Sequence, residues 1–145
     1  MKRPHRRFPP LLRSCWIKLN ATLQKRLQGL GITPDQYIAL RWMHEMFPQK
    51  LNQVALAKLM YTDANNISGL ISRMENEKLV ERTSSINDKR QKTLNITPHG
   101  KSKFLAAQPI AQSLEKEVVS SIVQKNQDGF LLLLCRLNRL LNKNF

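Results

Sequence analysis

Acidic residues are scarce in this chain, and the first thirty residues contain none. That segment instead holds Lys2, Arg3, Arg6, Arg7, Arg13, Lys18, Lys25 and Arg26. Over all 145 residues there are 10 Asp plus Glu against 24 Lys plus Arg, a formal net charge of +14. Nucleic acid or an anionic surface is the natural partner for such a balance. The basic start reads either as a solvated tail or as an arm on phosphates. Only two cysteines occur, Cys15 and Cys135, too far apart in sequence for metal-type spacing. Three histidines, His5, His44 and His99, are too scattered for a zinc site. No apolar run approaches membrane length, and Met1 to Pro10 lacks the apolar core of a signal peptide. A cytoplasmic protein with reduced thiols is expected. No internal repeat, nucleophile constellation, glycine-rich phosphate loop or carboxylate pair stands out, so neither an enzyme nor a cofactor or metal is expected. The length fits one domain with a real core.

What is present centres on Thr62 to Ile96. Within Asp63 to Lys78, Ile67, Leu70, Ile71 and Met74 recur at helical spacing and form one apolar stripe. The opposite face carries Asn65, Asn66, Gly69, Ser72, Arg73 and Asn76. Amides, hydroxyls and an arginine suit groove edges and phosphates better than the Lys/Glu mixture of an ordinary exposed face. Thr62 or Asp63 is placed to cap this helix. Two strand-like runs follow, residues 79–86 and 91–96, around the charged turn Asn87-Asp88-Lys89-Arg90. A helix followed by a basic-tipped hairpin is the pattern of a winged helix-turn-helix, with the helix in the major groove and the wing at the minor groove.

Upstream, residues 11–28 read as a helix with Leu12, Cys15, Trp16, Leu19, Leu23 and Leu27 as its stripe, stopped by Gly29 or Gly31. Thr33-Pro34-Asp35-Gln36 combines an N-cap Thr, a Pro at N1 and a Gln at N3, and opens a helix that ends before Pro48. Asn52 caps a short helix through Met60, which completes the helix-turn-helix. Thr97-Pro98 starts a helix to about Gln124, with a kink or break expected at Pro109. Asp128 is expected to cap the last helix. Its Phe130, Leu131 to Leu134, Leu137, Leu140 and Leu141 carry more apolar surface than the outside of a small domain tolerates. Either the chain's own core covers it or, the stronger reading, the first and last helices form a dimer interface.

Among the polar residues, Asn65, Asn66, Ser68 and Ser72 are the expected groove readers, since Asn pairs bidentately with adenine and hydroxyls serve phosphates or bases. Arg82 and Lys92 on the strands are candidate phosphate contacts. Asn52 and Gln53 are candidates for donating hydrogen bonds to a phosphate.

The run Met74 to Arg82, then Asn87 to Arg90, then Leu94 to Gly100, together with Gly31 to Leu40 upstream, resembles the MarR family of bacterial transcription regulators. The resemblance covers residues 11 to 145 and is strongest over 33–100. It implies an obligate homodimer with intertwined terminal helices. Asp88-Lys89-Arg90 matches the family's D-x-R wing signature. By that resemblance Arg90 enters the minor groove, Lys89 serves a phosphate, and Asp88 orients Arg90 or Arg73. Gly69 departs from the family, which often has a longer side chain there. The resemblance also implies a small aromatic or phenolic anion bound between dimer helices and winged module, with Trp16, Tyr37, Leu40, Arg41 and His44 as candidate lining. Peroxide-sensing members carry a reactive cysteine in the first helix near tyrosines, which makes Cys15 a candidate redox site; the other reading is a small hydrophobe.

The expected fold is mostly α with a small β-wing. Residues 1–10 form a basic arm, 11–30 and 99–145 a helical dimerisation region, and 31–98 the winged helix-turn-helix. The expected function is a homodimeric, sequence-specific regulator of double-stranded DNA on a roughly palindromic operator, acting as a repressor relieved by an effector. It would be bacterial and nucleoid-associated. The alternatives are an oxidant sensor using Cys15, or an architectural, counter-silencing protein indifferent to sequence.

Overall fold

The computed structural model describes residues 8–84, 92–122 and 127–144. They form helices α1 (Phe8–Leu27), α2 (Pro34–Glu45), α3 (Gln53–Leu59) and α4 (Ala64–Asn76), strands β1 (Val80–Ser84) and β2 (Lys92–Ile96), and helices α5 (Pro98–Ile122) and α6 (Gln127–Asn144). The chain divides into two compact units, Met1–Pro109 and Ile110–Phe145.

In the first unit, helix starts follow the expected capping chemistry. Thr33 and Gln36 make a reciprocal capping box, with the Gln36 backbone N–H donating to Thr33 Oγ1 and the Thr33 N–H to Gln36 Oε1. Asn52 accepts from Ala55 N–H at 2.8 Å, and Asp63 accepts from Asn66 N–H at 2.8 Å. Thr97 Oγ1 accepts from Gly100 N–H and donates to the Lys78 carbonyl, tying the start of α5 to the end of α4. Helix α4 closes in a Schellman turn, with Leu79 N–H on Met74 O, Lys78 N–H on Glu75 O, and Lys78 left-handed at φ 58.

The core of this unit is built from Leu40, Leu56, Ile67, Ile71, Met74, Leu79, Val80, Leu94 and Phe104. All four stripe residues of α4 are buried. Tyr37 stacks on Phe104 with ring centroids 5.8 Å apart. The wing strands pair antiparallel with Val80 opposite Ile96 and Ser84 opposite Lys92. Asn52 bridges to Thr93, and Leu94 N–H donates to the Leu51 carbonyl, so the approach to α3 is laced to the wing.

Several expectations are corrected. Among the described residues, helix α1 takes in Phe8, Pro9 and Pro10 ahead of Leu11. In the single chain the stripe of α1 is largely uncovered, as a face kept for a second copy would be: Leu12, Cys15, Trp16 and Leu19 are exposed and only Leu27 is buried. Helix α5 runs through Pro109 without a break. Asp128 does not cap α6; it lies inside the first turn, where its charge complements the helix dipole. In the second unit, Leu114 and Val119 are buried, while Leu131 to Leu134, Leu140 and Leu141 are exposed.

Candidate nucleic-acid interface

Helix α4 presents a polar face because its apolar residues are spent inward. Asn65, Asn66, Arg73 and Asn76 are exposed, and Ser68, Gly69 and Ser72 are partly so. The Asn66 amide donates to Asp63 Oδ2 at 3.0 Å, so the capping carboxylate holds both the backbone and the side chain of Asn66. One amide hydrogen and the carbonyl oxygen of Asn66 remain for a base edge. At Gly69 a β-carbon would lie 3.4 Å from an Arg73 guanidinium nitrogen, which is ordinary contact. The Arg73 side chain therefore folds back along its own helix over the glycine.

Beside this face stands a cluster whose members come from three elements. Arg82 on β1 donates from Nη1 to Gln53 Oε1 on α3 at 3.1 Å and from Nη2 to Ser72 Oγ on α4 at 3.0 Å. The same Nη2 meets Glu75 Oε2 on α4 at 2.7 Å. The hydrogen bond from Arg82 holds the Glu75 carboxyl below its ordinary value against a smaller opposing effect of burial, with the charges of Arg82 and Lys92 adding to it. Three residues read from sequence as separate DNA contacts, Gln53, Ser72 and Arg82, are thus brought together. Glu75 was missed. It lies one position past the apolar stripe residue Met74, and only the strand behind it reveals its partner.

On the wing, Thr83 and Thr93 sit opposite each other with hydroxyls 2.9 Å apart, and the Asn95 amide donates to Thr83 Oγ1 at 2.8 Å. Lys92 is exposed at the start of β2. Asp88, Lys89 and Arg90, and the arm residues 1–7, lie outside the described residues. Asn52 spends its side-chain oxygen on the cap of α3.

The residues proposed as effector lining are not assembled as one open site. Tyr37 and Leu40 are closed into the core, Arg41 is exposed and pairs with Glu45 at 2.6 Å, and Trp16 is exposed on α1. His44 packs its ring 4.9 Å from that of Phe104. His44 also edges a groove of about 450 Å³ at the base of the wing, floored by Met43, Leu51, Leu94 and Ile96, and rimmed by Lys50, Lys101, Gln49 and Asn95. Among the described residues no group of His, Cys, Asp or Glu could hold a metal ion, and no helix is long and apolar enough to cross a membrane.

Comparison with known proteins agrees with this arrangement. A family model described as MarR family matches residues 30–91. The chain is 29% identical over 122 residues to the transcriptional regulator HosA of Escherichia coli, spanning 84% of this chain and 87% of HosA. The fold is similar to that of the S. aureus MepR–DNA complex, with a TM-score of 0.83 at 22% identity over 90% of this chain and 95% of MepR. It is also similar to Bordetella bronchiseptica BpsR, solved in connection with regulation of its DNA binding by 6-hydroxynicotinic acid. There the TM-score is 0.81 at 19% identity, over 91% of this chain and 98% of BpsR.

Proposed function

We propose that this chain, whose residues 30–91 match a MarR family model, is a homodimeric regulator that binds double-stranded DNA at a roughly palindromic operator and represses transcription there. The observation that carries this reading is the face of α4. It is polar and is capped so that Asp63 holds Asn66 in place, while α3 and β1 pack against the helix.

In this reading Asn65, Asn66 and Ser68 face base edges in the major groove, and Arg73 and Lys92 face phosphates. Arg90, flanked by Asp88 and Lys89, reads the minor groove. The dimer is supported by the apolar residues that each unit leaves exposed, on α1 and on α6. Covering a half-exposed leucine gains roughly 1 kcal/mol, so the exposed leucines of α6 alone favour association strongly. Two recognition helices then sit about 34 Å apart. The wing-base groove, apolar in its floor with lysines at its rim, fits a small aromatic anion that relieves repression.

The test is selection from a randomised duplex library at about 150 mM salt. An enriched palindrome with half-sites one helical turn apart is the expected outcome. Tight binding with no enriched motif would overturn site-specific regulation in favour of an architectural role, which the charge of +14 would then explain.

A further inference from the structure

We propose that Arg82 is a positioning residue that presents Gln53 and Ser72 to the DNA backbone as hydrogen-bond donors. The proposal rests on the DNA-binding reading above. An amide and a hydroxyl are ambivalent groups, each able to donate or accept, whereas a guanidinium only donates. Arg82 takes the oxygen of both: Nη1 donates to Gln53 Oε1 at 3.1 Å and Nη2 to Ser72 Oγ at 3.0 Å. What Gln53 then has left to offer is its two amide N–H groups, and Ser72 keeps its O–H proton to give. The phosphodiester oxygens of DNA only accept. The bonding thus resolves the orientation of both groups in the one sense that a phosphate rewards.

Arg82 itself is turned inward. Its side chain is 22% exposed and its charge is met by Glu75 Oε2 at 2.7 Å. That same contact holds the Glu75 carboxyl below its ordinary value. The carboxylate fixes the guanidinium plane from α4, so the wing strand, the recognition helix and the start of α3 are set by one side chain. A direct phosphate contact by Arg82 is the competing account. The two differ in salt dependence and in coupling.

The experiment measures affinity for the selected duplex across a range of salt concentrations. It uses the wild type, Arg82→Gln, Arg82→Lys, Glu75→Gln, Gln53→Ala, and the double variant Arg82→Lys with Gln53→Ala. Thermal melts show that each is folded at the assay temperature. Lysine keeps the charge but cannot hold three oxygens in the plane of a fork. The expected result is that Arg82→Lys and Arg82→Gln weaken specific binding about tenfold, the value of one or two lost hydrogen bonds to phosphate, with an unchanged salt slope. Glu75→Gln weakens it in the same direction. Gln53→Ala weakens the wild type but costs little more in the Arg82→Lys background. A salt slope that falls by roughly 0.9 in Arg82→Gln would overturn the proposal in favour of a phosphate contact by Arg82 itself. Equal losses from Gln53→Ala in both backgrounds would also overturn it. If Arg82→Gln does not fold, the lysine pair decides through the coupling alone. A wild type that binds no duplex at all would instead overturn the DNA-binding reading, and this proposal with it.

Discussion

Gly100 is pressed against the main chain of Leu79. A β-carbon on Gly100 would overlap the Leu79 carbonyl oxygen and lie 2.8 Å from its carbon. That carbonyl is already engaged, accepting from Thr97 N–H at 3.1 Å, with Thr97 Oγ1 3.2 Å away. The start of α5 is therefore seated directly on the exit from α4, with no side chain between them. Gly100→Ala must push the two apart and break the Thr97 bonds. The expected cost is about 3 kcal/mol, seen as a lower denaturant midpoint in chemical unfolding. A midpoint matching the wild type would show that α5 can shift freely.

Lys78 offers the opposite experiment. It holds a left-handed conformation at φ 58 in the turn after α4, where a side chain is unfavourable and glycine is not. Lys78→Gly keeps the backbone bonds from Lys78 and Leu79 and removes the penalty. Stability is expected to rise by about 1 kcal/mol, raising the melting temperature by a few degrees.

Glu75 predicts a pH dependence. Its carboxyl titrates below the ordinary 4.5 in the folded chain, chiefly through the hydrogen bond from Arg82. A depressed folded value means that the unfolded state binds the proton first. The contribution is thus present above the unfolded value and lost as pH falls through the lower folded one. Glu75→Gln should be less stable than the wild type at neutral pH. The gap should close as pH drops below 4.5, in denaturation curves collected side by side. A gap that stays constant into acid would place the effect in packing rather than charge.

Asn66 is held by Asp63 in both its backbone and its amide. Asn66→Ala keeps the capping bond to the backbone and removes the side-chain amide together with its bond to Asp63 Oδ2. It should broaden the selected sequence at one position per half-site while leaving non-specific affinity within about twofold. Asp63→Ala should lower helix stability by about 1 kcal/mol as well. A selected motif identical to the wild type's in the Asn66 variant would remove that residue from base reading.

The exposed leucines of α6 predict the assembly state. Leu133 is 63% exposed and Leu140 54% exposed in the single chain. Replacing both with Glu should yield a smaller particle in sedimentation, with weaker operator binding, since each half-site alone contributes only part of the affinity. An unaltered sedimentation coefficient would mean that α6 is not an interface.

Much of the winged module was legible in the sequence because its determinants are local. The stripe Ile67, Leu70, Ile71 and Met74 is a matter of helical spacing. The caps at Thr33, Asn52, Asp63 and Thr97 are bonds to residues three positions away. Period and capping act over one or two turns of chain, so composition in a short window determines them. What the tertiary structure decided involves partners far apart in sequence. Arg82 reads as a surface cation until β1 lays it against Gln53, 29 residues upstream, and against Ser72 and Glu75. Gly100 reads as an ordinary early-helix glycine until the fold brings Leu79 against it. Pro109 reads as a kink or a break, yet one missing amide was not enough to end a helix of 25 residues. Likewise the stripes of α1 and α6 are legible from sequence as apolar faces, but their exposure in the single chain appears only once the residues that fill the core are known. Sequence spacing can say that a face is apolar, but what covers that face depends on how distant segments meet.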